Sequence, residues 1–347
     1  MKRVKWAVWG SCGIARRRTI PEGIKKASNA RLKAIYDVAD DANRALAAEL
    51  KVRPAASAAD LLGKDVQAVY IATPAYLHYE QVLTCIQAGK HVLCEKPLGM
   101  DNRQAEEMVA AARGKGVQLG CAFMMRFQSQ HQAALQMIRE GKLGKLTYAR
   151  AQLSCWYPPM AGNWRQSLTQ GGGGSLIDMG GHCIDLLEML VGEIAKVSCF
   201  TTHAVHPYET EDSAVATLYF RNGAIGTVDT FFNIPDVASK NALELYGSGG
   251  SILATGTIGQ GKVGKMTAFL SDPNAAYDAQ QARSAAKGLV AIKPKPVNMY
   301  RAEIEAFSQT ILDGRPGPLD AVIGLRSQKI LSACYQSARS GQVVDVL

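Results

Sequence analysis

Short apolar segments alternate with helical patterns through the first third of the chain, and this alternation limits the fold more than any other feature. Strand-like segments occur at residues 4–9, 31–37, 66–72, 91–94 and 117–123, with helical periodicity between them. Strands joined by helical crossovers pair in parallel, with right-handed connections. The pattern therefore predicts an α/β domain, a doubly wound parallel sheet, over residues 1–125. Asp40 or Asp41 is placed to cap the helix that follows the second strand.

The rhythm changes after residue 125. Strand-like segments at 145–155, 196–202, 214–220, 224–232 and 241–246 follow one another, mostly separated by turn residues. Consecutive strands of this kind are typical of antiparallel sheets. Residues 126–347 are therefore predicted to form an α+β domain with a large, mostly antiparallel open sheet. Residues 257–297 are polar with little periodicity, and we interpret them as a long excursion or an arm between subunits.

Composition narrows the class of protein. The 347 residues include 39 Lys and Arg against 30 Asp and Glu, and no run of about 18 apolar residues that could cross a membrane. Residues 1–53 hold thirteen of these cations and five of these anions, an excess that an anionic ligand or a solvated basic surface explains equally well. No Lys/Arg run is interleaved with aromatic residues. We expect a cytoplasmic protein with no nucleic-acid or membrane partner.

Cysteine usage argues against disulfides and metals. Eight cysteines are scattered singly, with no C-x-x-C pair and no histidine cluster at zinc-binding spacing. Reduced, mostly buried thiols and no metal site are the expectation for such a pattern.

A glycine-containing loop ends the first predicted strand: Gly10-Ser11-Cys12-Gly13-Ile14-Ala15. Small residues at a strand-to-helix turn let a pyrophosphate approach the free N–H groups of the helix start, although glycine also serves such turns for geometry alone. Asp37 closes the second predicted strand, where a carboxylate can accept hydrogen bonds from the ribose hydroxyls of NAD and would repel a 2′-phosphate. The sequence favours NAD as the cofactor, and the arginines at 16–18 leave NADP as an alternative.

Glu95-Lys96-Pro97 directly follows the fourth predicted strand. At the carboxyl edge of an open α/β sheet, a lysine can hold a substrate hydroxyl and stabilise its alkoxide as hydride leaves the same carbon. An exposed loop lysine is the ordinary alternative.

A second group of polar residues lies in the glycine-rich segment 171–185. Asp178 and His182 are one helical turn apart and so share a face. The histidine can accept a proton near neutral pH, while the carboxylate orients the ring or binds substrate hydroxyls. The glycines at 171–174, 180 and 181 disfavour an ordinary helix and indicate close backbone approach. A capping aspartate with a core histidine is the structural alternative, and no third ligand completes a zinc site.

Together these segments resemble the Gfo/Idh/MocA oxidoreductase family, which includes inositol dehydrogenases and glucose-fructose oxidoreductase. The resemblance spans essentially the whole chain. It is sharpest at Gly10 to Ala15, at Ala72-Thr73-Pro74 with His78, at Glu95-Lys96-Pro97 and over residues 172–185. It implies a Rossmann domain followed by a sheet domain that commonly forms the subunit interface, hence a homodimer or homotetramer.

The resemblance also implies roles for individual residues. Lys96 corresponds to the catalytic lysine, Asp178 to the carboxylate that binds or orients the substrate, and His182 to the proton acceptor. Thr73, Pro74, His78 and Glu95 would border the nicotinamide half of the cofactor, and Pro97 would be cis. The cofactor-binding residues expected on all these grounds are Gly10, Ser11, Cys12, Gly13, Ile14, Ala15, Asp37, Thr73, Pro74, His78, Glu95 and Lys96.

The family's substrates are polyols, sugars and sugar derivatives. Between the two motifs lie side chains that suit such ligands: Arg126, Trp156, Tyr157, Asn163, Trp164 and Arg165. Aromatic faces pack on sugar C–H surfaces, and arginine binds hydroxyls or a carboxylate, although each of these residues could serve packing or the surface alone. The substrate-binding residues expected are Lys96, Arg126, Trp164, Arg165, Asp178 and His182.

The expected activity is that of an NAD(P)-dependent dehydrogenase or reductase acting on a secondary alcohol, or the corresponding ketone, of a sugar, sugar derivative or cyclitol. Two other hypotheses stay open. One is a glycoside hydrolase that uses transient oxidation by tightly held NAD, and the other is a non-catalytic sugar sensor that binds the dinucleotide. The intact set of Lys96, Asp178 and His182 argues against the sensor, because a pure binder needs no proton-transfer group.

Overall fold

The computed structural model describes residues 2–261, 264–271, 279 and 288–347. The chain forms two compact units. The first comprises Met1–Met124, Met160–Gly173 and Asn298–Ser332, and the second comprises Met125–Pro159, Gly174–Val297 and Ala333–Leu347. No helix among the described residues has the length and apolarity to cross a bilayer.

Six parallel strands form the sheet of the first unit. They are β1 (Val4–Trp9), β2 (Ala30–Tyr36), β3 (Arg53–Pro54), β4 (Ala68–Ile71), β5 (His91–Cys94) and β6 (Leu119–Cys121). Their order is β3-β2-β1-β4-β5-β6, so β1 pairs with both β2 and β4. This is the order of a Rossmann sheet, and it confirms the predicted doubly wound fold.

Helical segments connect the strands and cover the sheets. The α-helices are α1 (Asp40–Leu50), α2 (Ala58–Leu61), α3 (His78–Gln87), α4 (Asn102–Lys115), α5 (Ser129–Arg139), α6 (Leu168–Gly171), α7 (Gly181–Leu190), α8 (Met299–Asp313) and α9 (Ala321–Ser340). Two π-helical segments, Ala15–Ile24 and Leu176–Gly180, precede α1 and α7.

The start of α1 differs in one detail from the prediction. Its N-cap residue is Ala39, and Asp40 lies in the first turn, so the expected aspartate cap was wrong. Asp40 instead pairs with Arg44 one turn later, while Asp37 Oδ1 accepts the N–H of Ala39 (3.0 Å). Asp37 thus binds the backbone of the N-cap residue, and no side chain among the described residues caps the first turn of α1.

The first unit is completed by residues distant in sequence. The ring of Phe307 on α8 lies 5.8 Å from that of buried Trp6, whose indole N–H donates to Ser308 (3.0 Å). The carbonyl of Leu319 accepts the N–H of Cys121 in β6 (3.0 Å). Because a parallel sheet must be covered on both faces, the compact units do not follow a single cut at residue 125. The functional assignment of 1–125 and 126–347 stays a prediction.

The described residues of the second unit form nine strands. They are β7 (Leu146–Ser154), β8 (Ile194–Thr202), β9 (Ser213–Phe220), β10 (Ile225–Phe231), β11 (Ala242–Gly247), β12 (Gly250–Thr255), β13 (Lys265–Leu270), β14 (Leu289–Ala291) and β15 (Val344–Asp345). Their order is β14-β13-β12-β11-β7-β10-β9-β8-β15, and β7 with β10 is the parallel pair in an otherwise antiparallel sheet. The predicted mostly antiparallel sheet is confirmed.

The segment 257–297 is more regular than predicted. Within it, β13 and β14 extend one edge of the sheet, where Phe269 pairs with Leu289. Cross-strand pairing here overrides the weak local periodicity. Residues 262–263, 272–278 and 280–287 of the same segment lie outside the described part of the chain.

A buried polar cluster in the first unit contains the carboxyl groups of Glu95 and Glu303. Tyr70 on β4 donates its hydroxyl proton to Glu95 (2.6 Å) and accepts one from Thr19 (3.1 Å). Glu303 on α8 is fully buried, and neither of its carboxyl oxygens has a hydrogen-bond partner among the described residues. Burial, and secondarily the charge of Glu95, raise the pKa of Glu303 well above its ordinary value. A fully buried carboxyl group without hydrogen-bond partners favours its neutral form.

Replacing Glu303 by glutamine should stabilise the protein increasingly as pH rises. Above the ordinary carboxyl pKa the unfolded chain releases a proton that the folded chain keeps, so wild-type stability falls with pH. The free energy of unfolding of E303Q should gain on wild type by up to about 1.4 kcal/mol per pH unit above about pH 4.5. Urea unfolding at about pH 5, 6 and 7 measures this difference.

E305Q is the matched control on the same helix. Burial would raise the pKa of Glu305, but the N–H of Ser28 and the Arg301 side chain lower it. E305Q should therefore lose stability and gain nothing on wild type across this pH range. Parallel pH profiles for wild type and E303Q would contradict a protonated Glu303.

Candidate active site

The nucleotide loop lies where β1 and β4 end. Gly10 has a φ of +87°, and a Cβ on it would lie 2.7 Å from the carbonyl carbon of Ala72, so the chain's own backbone requires glycine here. Gly13 is exposed, and the nearest atom to a Cβ there would be the Ala72 carbonyl oxygen, at 3.9 Å. Of these two predicted glycines, only Gly13 keeps an open side for a ligand.

Of the other loop residues, Ser11 and Ala15 are buried within the unit, and Cys12 contacts Asp37. Ser11 and Ala15 are fully buried, and the Ser11 hydroxyl donates to Asn43 (2.8 Å), a support that no sequence signal indicated. Cys12 and Ile14 are half-buried. The N–H of Cys12 donates to Asp37 Oδ2 (2.8 Å).

These groups fit a dinucleotide. Asp37 presents its carboxylate at the end of β2, directly against the loop amides, where the ribose hydroxyls of a dinucleotide can donate to it. The exposed Gly13 directly precedes the first helical turn, whose N–H groups suit a pyrophosphate. Arg16 and Arg17 are exposed in the same turn, close to the position of an anionic group.

The turn that carries Lys96 is tied to the turn after β4. The Lys96–Pro97 peptide bond is cis, as the resemblance implies. The ring of buried His78, at the start of α3, lies between two carbonyl oxygens, with Nδ1 2.8 Å from that of Pro97 and Nε2 3.0 Å from that of Thr73. Burial lowers the pKa of His78, against the effect of these carbonyl bonds. A single imidazole therefore fixes the ends of β4 and β5 together.

Two candidate substrate residues come to the Lys96 turn from far along the chain. Trp164 and Arg165 lie in a 3₁₀ turn (Trp164–Gln166) of the first unit, with the Arg165 guanidinium 4.1 Å above the Trp164 ring. Burial raises the pKa of Glu95, and the charges of Lys96 and Arg165 oppose that rise. Arg165 therefore lies within electrostatic reach of the residue that precedes Lys96.

Asp178 and His182 lie in the second unit. Asp178 is in the π-helical segment and His182 in the first turn of α7. Among residues 173–187, only these two side chains are partly exposed and all others are buried. They therefore share the accessible face of a segment whose remaining faces are packed, as the spacing predicts. A Cβ on Gly174 would lie 1.9 Å from the Glu211 carbonyl oxygen, so the backbone approach expected here is made by the chain itself.

Arg126 is held by an ion pair in the same unit. Its Nε and Nη2 atoms donate to the buried carboxylate of Asp185 at 2.7–2.9 Å. Burial raises the pKa of Asp185 to about 6, although Arg126 lowers it. This pair explains why Arg126 is mostly buried, and its expected contact with substrate stays a prediction.

The remaining aromatic candidates are anchored differently. Trp156 is 44% exposed and its ring meets that of His206 edge-on at 5.0 Å. Tyr157 stacks on Phe232 at 4.7 Å. In the first unit, the Asn163 side chain accepts the N–H of Arg165 (3.1 Å) and so caps the turn of Trp164. Of Trp156 and Tyr157, Trp156 presents the broader exposed ring.

Each unit therefore contains some of the residues predicted to bind the cofactor or the substrate. The first brings together Asp37 with the nucleotide loop, and Thr73, Pro74, His78, Glu95 and Lys96 with the turn of Trp164 and Arg165. The second holds Arg126, Asp178 and His182. All eight cysteines lie in the described part of the chain and are free thiols. The residues described contain no group of three or more His, Cys, Asp or Glu side chains that could hold a metal ion.

Comparison with known protein families finds two family models that match successive parts of the chain. Residues 4–123 match the model of the oxidoreductase family with an NAD-binding Rossmann fold, and residues 131–253 match the model of the GFO/IDH/MocA C-terminal domain. The chain belongs to the Gfo/Idh/MocA oxidoreductase family. The resemblance drawn from the sequence motifs, the enzyme class and the NAD-binding domain are thereby confirmed.

Individual members of the family are similar over the whole chain. The 1,5-anhydro-D-fructose reductase of Ensifer adhaerens is 29% identical over 99% of this chain and 98% of its own length. The myo-inositol 2-dehydrogenase of Thermotoga maritima is 27% identical over 97% of this chain and 99% of its own. The aldose-aldose oxidoreductase of Caulobacter crescentus shares the fold, with a TM-score of 0.88, 24% identity and coverage of 99% and 100% of the two chains.

Alanine at the two loop glycines should separate their roles. G10A is expected to destabilise the protein by more than about 1 kcal/mol, because Cβ would strike the Ala72 backbone at a positive φ. G13A should keep wild-type stability and weaken NADH binding by about tenfold or more, since its Cβ would stand where a phosphate meets the amides. Thermal unfolding and a fluorescence titration with NADH measure the two effects. Wild-type NADH affinity in G13A would remove Gly13 from the cofactor site.

Proposed function

We propose that the protein is an NAD(P)-dependent dehydrogenase or reductase that interconverts a secondary alcohol of a sugar, sugar derivative or cyclitol with the corresponding ketone. The observation that carries this proposal is the Lys96 turn. Lys96 follows β5 at the carboxyl edge of an NAD-binding sheet, and His78 ties its turn to the end of β4. This is the edge at which open α/β sheets bind ligands.

The chain's residues have distinct roles in the proposed reaction. Lys96 donates a hydrogen bond to the substrate oxygen and stabilises the alkoxide. His182 takes the hydroxyl proton in oxidation and returns it in reduction, and Asp178 orients the imidazole or binds a substrate hydroxyl. When bound, the nicotinamide ring supplies the hydride acceptor or donor. Asp37, Gly13 and the loop amides hold the cofactor.

The substrate class rests on the relatives and on the residues near the Lys96 turn. One similar protein is named for 1,5-anhydro-D-fructose and another for myo-inositol, both polyhydroxylated rings. Trp164 offers an aromatic face, and Arg165 offers a cation held above it. Aromatic and guanidinium groups suit the C–H surface and the oxygens of such a ring. Arg126 remains a predicted substrate-binding residue. The cytoplasmic location of the protein also remains a prediction.

The decisive test measures absorbance of reduced nicotinamide with purified protein. NAD and NADP are supplied separately, across a panel of inositols, free sugars, sugar acids and glycosides. K96M is expected to lower kcat by about 100-fold or more, because the alkoxide loses its cation, while NADH affinity changes little. K96R, which keeps the charge on a differently shaped group, should retain more activity than K96M.

Unchanged turnover in K96M would overturn the mechanism. Release of free sugar from a glycoside, without net NADH, would instead support the hydrolase that uses transient oxidation. If the protein holds bound dinucleotide but no compound of the panel changes the absorbance of reduced nicotinamide, the sugar-sensor hypothesis would be supported.

We also propose a homodimer or homotetramer formed through the nine-stranded sheet. One face of this sheet is buried in the core, through side chains such as Leu218 and Val228. On the opposite face, Phe200 pairs with Val215 and Tyr219 with Ile225, and all four are exposed. Exposed apolar side chains clustered on one face of a sheet favour association with another copy.

Lysine at Phe200, which is 76% exposed, should shift the protein toward monomer, since the charge would be buried at the interface. V237K is the matched control, because Val237 is 99% exposed but lies in a 3₁₀ turn outside the strands. Sedimentation velocity reports both. Identical oligomer distributions for F200K, V237K and wild type would exclude the sheet face as the interface.

A further inference from the structure

The segment that carries Asp178 and His182 begins in an unusual way. The first four N–H groups of a helix have no partner inside the helix. Here the first internal bond runs from the N–H of Asp178 to the carbonyl of Gly174 (3.1 Å), so the four orphan groups belong to residues 174–177. No side chain of the segment itself caps this end.

A single residue from the turn just before β9 takes three of the four groups. The carboxylate of Glu211 accepts the N–H of Gly174 (2.9 Å) and the N–H of Leu176 (2.9 Å) on different oxygens. Its backbone carbonyl accepts the N–H of Ser175 (3.0 Å). Glu211 is 5% exposed and lies 37 residues after Gly174 in the sequence, so only the tertiary fold supplies this cap.

Tyr335 completes the arrangement from the part of α9 that belongs to the second unit. Its hydroxyl donates to Glu211 Oε1 (2.9 Å), and its oxygen lies close to the backbone of Ile177. Burial raises the pKa of Glu211, and the N–H groups of Leu176 and Gly174 oppose that rise. A carboxylate at this end also interacts favourably with the helix dipole.

The same contacts leave the segment little room to move. A Cβ on Gly174 would lie 1.9 Å from the Glu211 carbonyl oxygen, so the two backbones touch. The Ser175 hydroxyl donates to the carbonyl of Thr230 on β10 (3.2 Å). The backbone immediately before Asp178 is thus held by the turn that precedes β9, by β10 and by α9.

We propose that Glu211 and Tyr335 are positioning residues for the reaction, because they fix the helix start from which Asp178 and His182 project. The inference rests on the proposed function. Neither residue needs to touch the substrate. Loss of either should displace the proton-transferring side chains, and small displacements of reacting groups cost rate more than binding.

The test compares two variants of this clamp with a matched control. Y335F removes only the hydroxyl, and E211Q replaces one acceptor oxygen by an NH₂ group that would face a backbone N–H. S337A removes a buried hydroxyl two residues along α9, which accepts the N–H of Cys199 (3.0 Å) and donates to the carbonyl of Gln342 (2.6 Å). All three lose buried hydrogen bonds, but only the first two act on residues 174–177.

Steady-state kinetics on the best substrate of the wild-type enzyme, NADH affinity and amide hydrogen exchange are measured for each variant. Y335F should lower kcat by about tenfold or more with NADH affinity within about twofold of wild type, and E211Q should lower kcat further. Both should exchange the amides of residues 174–177 about tenfold faster or more. S337A should lower the Tm while leaving kcat and this exchange unchanged.

The outcomes separate the two proposals. Absence of turnover in the wild-type protein across the substrate panel means that the proposed function fails, and the positioning role fails with it. An active wild type with unchanged kcat in folded Y335F and E211Q overturns the positioning role alone. An equal loss of kcat in S337A also overturns it, because the effect would then follow general destabilisation.

Discussion

The parallel pairing of β1 with β2 on one side and β4 on the other is the constraint on which the nucleotide-binding unit depends. It brings the carboxyl ends of separate strands to one edge, so the loop after β1 meets Asp37 after β2. The same edge carries the turns after β4 and β5, which His78 joins. Since such a sheet is covered on both faces, it also explains why α8, from the far end of the chain, packs against Trp6.

Three buried acids show three ways to meet the cost of taking a carboxyl group out of water. Asp185 is paired with Arg126 through two nitrogens. Glu211 accepts hydrogen bonds from two backbone N–H groups and from the Tyr335 hydroxyl. Glu303 has neither kind of partner among the described residues, and burial raises its pKa well above the ordinary value, which favours the neutral form. The first two hold parts of the segment that carries Asp178 and His182, so burial and positioning are linked there.

Prediction from the sequence was most successful where a local pattern decides the structure. Most of the strands, the position of Asp37 at a strand end and the shared face of Asp178 and His182 follow from periodicity and spacing. Prediction was less successful for glycines, because Gly10 and Gly174 are required by backbone contacts with Ala72 and Glu211. The glycine-rich segment at 171–174 indicates a close approach, but which segment makes that approach depends on the tertiary fold and has no local signal.

By itself the sequence determined the order and type of most elements and the identity of the chemical groups, because hydrophobic periodicity and motif spacing are local properties. Only the tertiary structure decided which distant residues support those groups. Glu211 reaches the start of the Asp178 segment, Asn43 supports Ser11, and Arg165 lies near Glu95. These partners are brought together by strand pairing and packing between segments far apart in the chain, and a single sequence carries no record of those distances.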